Sequence, residues 1–121
     1  KWKGSAFEIG SHGFSHQKIT QMTEDQARFE LRESKKKLQD EFNTEVSVYA
    51  FTYGDTSILH ARFAFEEGYD YAVNTDTGGL LIEDSPYQIF RVNIFPNETI
   101  ASLRKKTSSW YRKYYYLKRN K

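Results

Sequence analysis

Val46-Ser47-Val48-Tyr49-Ala50-Phe51-Thr52-Tyr53-Gly54-Asp55 is the stretch on which the fold turns. Its first six residues have the β-branched and aromatic composition of a buried strand. The last four read as a loop, with Asp55 placed to cap a helix over residues 56–67 and Gly68 as its stop. Working outward, residues 69–73 read as another strand, followed by a polar loop over 74–79. Upstream, Thr23 and Gln26 have the spacing of a capping box, predicting a helix to about Phe42. Ala27, Leu31 and Leu38 would face inward on it, with Lys35, Lys36 and Lys37 as a solvated stripe. Residues 6–9 read as a short strand ending at Gly10, and residues 89–95 as a fourth strand. Pro96 leads into a last helix that reaches Trp110–Tyr116. Strands alternating with helices predict an α/β domain with parallel strands. In such folds the chemistry sits on loops at the carboxyl ends of strands, here loops 10–20, 52–55 and 74–79.

The composition narrows what those loops can do. The 121 residues amount to one domain or part of one, and 38% hydrophobic against 28% charged is a globular balance. There is no Cys, so disulfides and thiolate metal sites are excluded, and any metal must be held by His, Asp or Glu. No apolar run approaches the length of a membrane span, and no signal peptide opens the chain. Lys1 stands where a Met would begin a protein, so the expectation is a beginning further upstream.

Charge is unevenly placed. Residues 1–100 hold ten Lys/Arg against sixteen Asp/Glu, a balance of −6, whereas residues 101–121 hold eight Lys/Arg and no acid. Residues 106–121 accordingly read as a basic, aromatic terminal helix or tail after a domain over 1–105. Such a tail suits a solvated helix, or contact with an acidic polymer, anionic lipid or nucleic acid; no nucleic-acid partner is expected.

His12 and His16 are two of only three histidines, and they share the loop after the first strand. Gly10, Ser11, Gly13 and Ser15 are poor helix formers, so the pair belongs to a loop or a single turn. Neutral imidazoles suit Zn, Ni, Co or Fe, and two of them need a further protein ligand plus an open position for catalysis. The plain alternative is a pair of loop histidines that cap backbone groups. His60, inside the second helix, reads as a surface or packing residue.

Glu8-Ile-Gly-Ser-His-Gly-Phe-Ser-His-Gln-Lys-Ile-Thr20 resembles the second motif of the polysaccharide deacetylase family (the NodB-homology domain, carbohydrate esterase family 4), which has the form EIGxH(S/T)xxH. Gly13 departs from it, replacing the Ser or Thr whose side-chain hydrogen bond fixes the loop. Tyr49-Ala-Phe-Thr-Tyr-Gly-Asp55 resembles the third motif in the FAYPYGD variant of the poly-N-acetylglucosamine deacetylase-like branch, with Thr52 in place of the Pro. Residues 67–75 and 90–94 are similar to later strands of that variant, so the resemblance spans about 5–105.

The resemblance implies the carboxyl-terminal part of a distorted (β/α) barrel. It also implies a metal-dependent hydrolase that removes acetyl groups from an N-acetylated or O-acetylated polysaccharide. His12 and His16 would be the ligands of a divalent metal, Zn first and Co, Ni or Fe as alternatives. The Tyr53 backbone N–H would face the developing oxyanion, a role worth about 3–4 kcal/mol where it has been removed, with an ordinary turn ahead of a helix as the plain alternative for Tyr53-Gly54. Phe14, Tyr49, Phe51 and Asp55 are the candidates for lining or binding the substrate, with core packing as the alternative for the aromatic three. A secreted or bacterial cell-envelope location is the expectation that goes with it. The family's first motif, TFDD-like, supplies a third ligand and the catalytic base, and nothing in residues 1–7 matches it. The expectation is therefore that the missing amino-terminal part carries both Asp residues, and that this chain alone binds metal weakly and does not deacetylate. An inactive carbohydrate-binding or structural module of the same fold, and a surface-binding protein working through the basic tail, are the rival readings.

Overall fold

The computed structural model describes residues 7–75 and 85–119. Helix α1, Glu24–Phe42, opens on the anticipated capping box: the Thr23 side chain accepts from Gln26 N–H, and the Gln26 side chain accepts from Thr23 N–H. Glu24 and Asp25 in its first turn suit the positive end of the helix dipole. It ends at Asn43, in the left-handed conformation. Ala27 and Leu31 are buried and Leu38 packs against the core, one stripe at helical spacing. Lys36 and Lys37 are exposed. Lys35 instead reaches across to the Gly68 carbonyl, its ammonium lying 4.8 Å from the Tyr69 ring centroid.

Strands β1 (Val48–Ala50), β2 (Tyr71–Asn74) and β3 (Ile89–Phe90) lie side by side in that order, all parallel. Tyr49 stands beside Ala72, and Val73 beside Ile89. Helix α2, Ile58–Glu66, connects β1 to β2, so the fold contains the expected β-α-β unit. Its boundaries differ from the sequence reading. Ser57, not Asp55, is the N-cap, because a 3-10 turn over Thr52–Gly54 intervenes and makes Asp55 the end of that turn.

Three further elements depart from expectation. Residue 6 of the strand anticipated over 6–9 lies outside the described residues, and residues 7–9 form no strand. The pairing falls at Ser11, which bridges to Tyr49 in parallel, with Ser11 N–H on Val48 O and Ala50 N–H on Ser11 O, each at 2.8 Å. The strand anticipated over 89–95 is only two residues long. The last helix is two, α3 (Ile100–Lys106) and α4 (Tyr111–Arg119), separated by Thr107-Ser-Ser-Trp110. There the Thr107 and Ser108 hydroxyls bond Leu103 O and Lys105 O, competing with helix continuation.

The core lies between the sheet and helices α1 and α2. Tyr49, Phe51, Phe63, Val46, Leu31, Ala27 and Ile19 are all at most 1% exposed. The buried Tyr69 hydroxyl donates to Leu31 O at 2.8 Å, so the ring enters the core with its polar atom satisfied. Arg28 stacks 4.1 Å from the centre of the Phe63 ring and pairs with Glu24 and Glu66, tying α1 to α2. Because Ser11, β1 and β2 all pair in parallel, the loops beginning at His12, Phe51 and Thr75 leave the sheet at the same edge.

Candidate metal centre

His12 follows directly on the last paired residue of its segment. Its Nδ1 lies 2.7 Å from Ala50 O. A carbonyl only accepts, so Nδ1 carries a proton, and in the neutral ring Nε2 is the nitrogen with a free lone pair. A histidine held this way has its tautomer and ring orientation set before any ligand arrives. The Thr52 hydroxyl donates to His12 O at 3.3 Å, so β1 and the turn after it hold both the ring and the backbone of this residue.

The chain then turns back on itself. Gly13 has φ +94 and His16 φ +58, and the reversal brings the two imidazoles to 5.0 Å between centroids, edge to face. Both rings are exposed. Tyr53, also left-handed at φ +59, sets its ring 5.2 Å from that of His16. The Thr75 hydroxyl donates to Tyr53 O at 3.3 Å, and Asp55 accepts from the Thr20 hydroxyl. The histidine loop and the Tyr53 turn therefore meet at His16, and Thr75 backs that turn from the end of β2.

The sequence reading missed the residue that shapes this loop. Glu30 of α1 is 7% exposed, and its carboxylate accepts from Phe14 N–H at 2.7 Å and from Ser15 N–H at 2.9 Å. Burial pushes its carboxyl up, but the Ser15 hydroxyl and the Ser15 and Phe14 N–H groups outweigh that and hold it below the usual carboxylate value. Next to it, Ser34 takes the Ser11 hydroxyl at 2.7 Å. A signal was present: an acid at 30 sits on the apolar stripe of Ala27 and Leu31, where a charge survives only with partners.

The aromatic candidates divide. Phe14 is half exposed, packed edge-to-face on Phe29 at 5.7 Å with the Lys37 ammonium 5.3 Å from its centroid. Tyr49 and Phe51 are 1% and 0% exposed, so they are core residues and line no surface. Burial, with Tyr69 and Glu30 nearby, pushes the Tyr49 phenol well up, so it stays protonated beside the loop. Asp76 and the rest of loop 74–79 after Thr75 lie outside the described residues. Among the described residues no three His, Cys, Asp or Glu side chains gather as a metal cage.

A family model for polysaccharide deacetylases matches residues 1–72, which take in the histidine loop, α1, β1, the Tyr53 turn and α2. The chain belongs to the polysaccharide deacetylase family. Solved structures agree on the fold. The Streptococcus pyogenes deacetylase PplD in complex with acetate superposes with a TM-score of 0.68 at 22% identity, over 80% of this chain and 43% of that one. A Bacillus cereus polysaccharide deacetylase superposes with a TM-score of 0.66 at 21% identity, over 84% of this chain and 32% of that one. This deacetylase-family chain thus spans less than half the length of the solved structures it matches. No curated protein matches it.

Proposed function

We propose that the protein carrying this chain is a metal-dependent hydrolase that removes acetyl groups from an N-acetylated or O-acetylated polysaccharide, with His12 and His16 holding the metal. The observation that carries this reading is the pre-set His12 ring, its Nδ1 on Ala50 O, with the His16 ring 5.0 Å away. A metal bound about 2.1 Å from a ring nitrogen lies about 3.2 Å from that ring's centroid, so two imidazoles at a near-tetrahedral angle have centroids about 5.2 Å apart. The donor set suits Zn, with Co, Ni or Fe as alternatives. Such an ion supplies Lewis acidity toward an acetyl carbonyl and toward water.

The chain's own residues would do the rest of the positioning. Tyr53 offers its backbone N–H to the oxyanion, its left-handed conformation held by the neighbouring Gly54 and by the Thr75 hydroxyl on its carbonyl. Phe14, half exposed, and Asp55 are the residues of this chain that would contact the substrate. The third ligand and the general base are carboxylates from the remainder of the domain, a distorted (β/α) barrel on this reading, in a secreted or cell-envelope protein.

The test is acetate release from acetylated glucosamine oligomers by the full-length protein. Turnover is expected with Zn2+ or Co2+, to be lost on chelation and in His12→Ala and His16→Ala. Turnover that survives both substitutions would refute the metal assignment. Oligomer binding without any turnover would point to a carbohydrate-binding module instead.

A further inference from the structure

The histidine loop has no regular structure, yet it must hold two rings in register. Between its ends lie Gly13 and His16, both left-handed, and two N–H groups, of Phe14 and Ser15, that turn inward toward α1. We propose that Glu30 is the positioning residue of this loop, a carboxylate that accepts both inward N–H groups and thereby sets where His16 stands relative to His12. This inference rests on the metal reading above.

The geometry separates the two histidines. His12 is tied independently, by Ala50 O to its ring and by Thr52 to its carbonyl, and Ser11 before it is anchored in the sheet and to Ser34. His16 has no such backbone tie among the described residues. What precedes it is the Phe14–Ser15 segment, whose amides end on the part-buried Glu30 carboxylate at 2.7 and 2.9 Å as charge-assisted bonds. Glu30 cannot drift, because it rises from the same face of α1 as Ala27, Leu31 and Ser34, all of them packed. A Cβ at position 13 would lie 3.2 Å from Glu30 Oε2 and 3.3 Å from the Tyr49 hydroxyl. Gly13 therefore lets the carboxylate come close, and Glu30 supplies the loop-fixing bonds that a Ser or Thr at 13 would otherwise share. Glu30 acts through the Phe14 and Ser15 amides and the Ser15 hydroxyl, as a positioning residue.

The experiment titrates Co2+ into the full-length protein and its variants, following the visible bands that report coordination geometry. Glu30→Gln, which places a donor against two donors, is expected to weaken Co2+ binding by about 10–100-fold, the usual effect of losing an outer partner of a metal site, and to alter the bands. Glu30→Asp, one methylene short, is expected to fall between Gln and the parent. Arg28→Ala is the control: it removes an α1 side chain that ties α1 to α2, touches nothing in the loop, and is expected to lower stability while leaving Co2+ affinity and bands as in the parent. Parent-like binding by Glu30→Gln, or the same loss in Arg28→Ala, overturns the inference. If Glu30→Gln does not fold, Glu30→Asp carries the test, and parent-like binding by it overturns the inference. A parent that binds Co2+ no better than His12→Ala refutes the metal reading itself. Amide exchange at Phe14 and Ser15 then decides the clamp alone, and protection unchanged in Glu30→Gln overturns it.

Discussion

Gly54→Ala is expected to be among the most costly single-methyl additions in the described part of the chain, and its cost can be assembled from two parts. Gly54 has φ +69, a conformation that costs an L-residue about 1–2 kcal/mol. A Cβ there would lie 1.9 Å from Thr75 Oγ1, 2.5 Å from Thr75 N and 2.8 Å from Thr75 Cβ. Thr75 follows directly on β2 and its hydroxyl bonds Tyr53 O, so it cannot retreat without loosening the turn that presents Tyr53. Forcing such a shift costs about 1–3 kcal/mol more, for a total of about 2–5 kcal/mol. Two other glycines separate the parts. Gly68, at φ +78, has only the tip of the Lys35 side chain within reach, at 3.3 Å, so Gly68→Ala isolates the backbone part. Gly10→Ala meets nothing closer than 3.4 Å and needs no left-handed backbone, so its cost should stay within about 0.5 kcal/mol. Urea denaturation of the three variants and the parent reads the order Gly54, Gly68, Gly10. A Gly54→Ala protein no less stable than Gly68→Ala would show that the Thr75 contact relaxes freely, and the reasoning would fail.

Leu31→Ala removes a side chain with no exposed surface and should cost about 2–5 kcal/mol in the same assay, with a near-neutral result ruling out the proposed core. Acid should act on two groups in separate windows. The Glu30 carboxyl is held below its usual 4.5, so its contribution is complete above that pH and lost as pH falls through the lower folded value; Glu30→Gln should flatten stability–pH curves there. Burial lowers His60 from its usual 6.5 against the opposing charge of Asp55, so its contribution is lost as pH falls below 6.5, and His60→Gln should remove the dependence in that window alone. Curves for these two variants that parallel the parent would contradict the assigned partners.

Local pattern made much of the architecture legible. The Thr23–Gln26 capping box, the Ala27–Leu31–Leu38 stripe and the β-rich 46–51 segment are all local patterns; the first two appear as read, and the third holds a strand over Val48–Ala50 alone. Strand–helix alternation likewise implied parallel pairing, since a strand that returns through a helix comes back pointing the same way. The spacing of His12 and His16 and their place after a strand marked the loop that matters. What the sequence could not decide was which partner, far along the chain, satisfies each polar or aromatic group. Asp55 was an equally good helix cap on paper, but Thr20, 35 positions away, takes its carboxylate. Tyr49 and Phe51 carry the same rings as any sugar platform, and only the closing of α1 and α2 over the sheet buries them. Glu30 reads as one more helix acid until the loop 15 positions earlier turns two N–H groups onto it. Secondary structure follows from energies shared among adjacent residues, whereas the site follows from desolvated groups that must find partners, and tertiary packing alone chooses those partners.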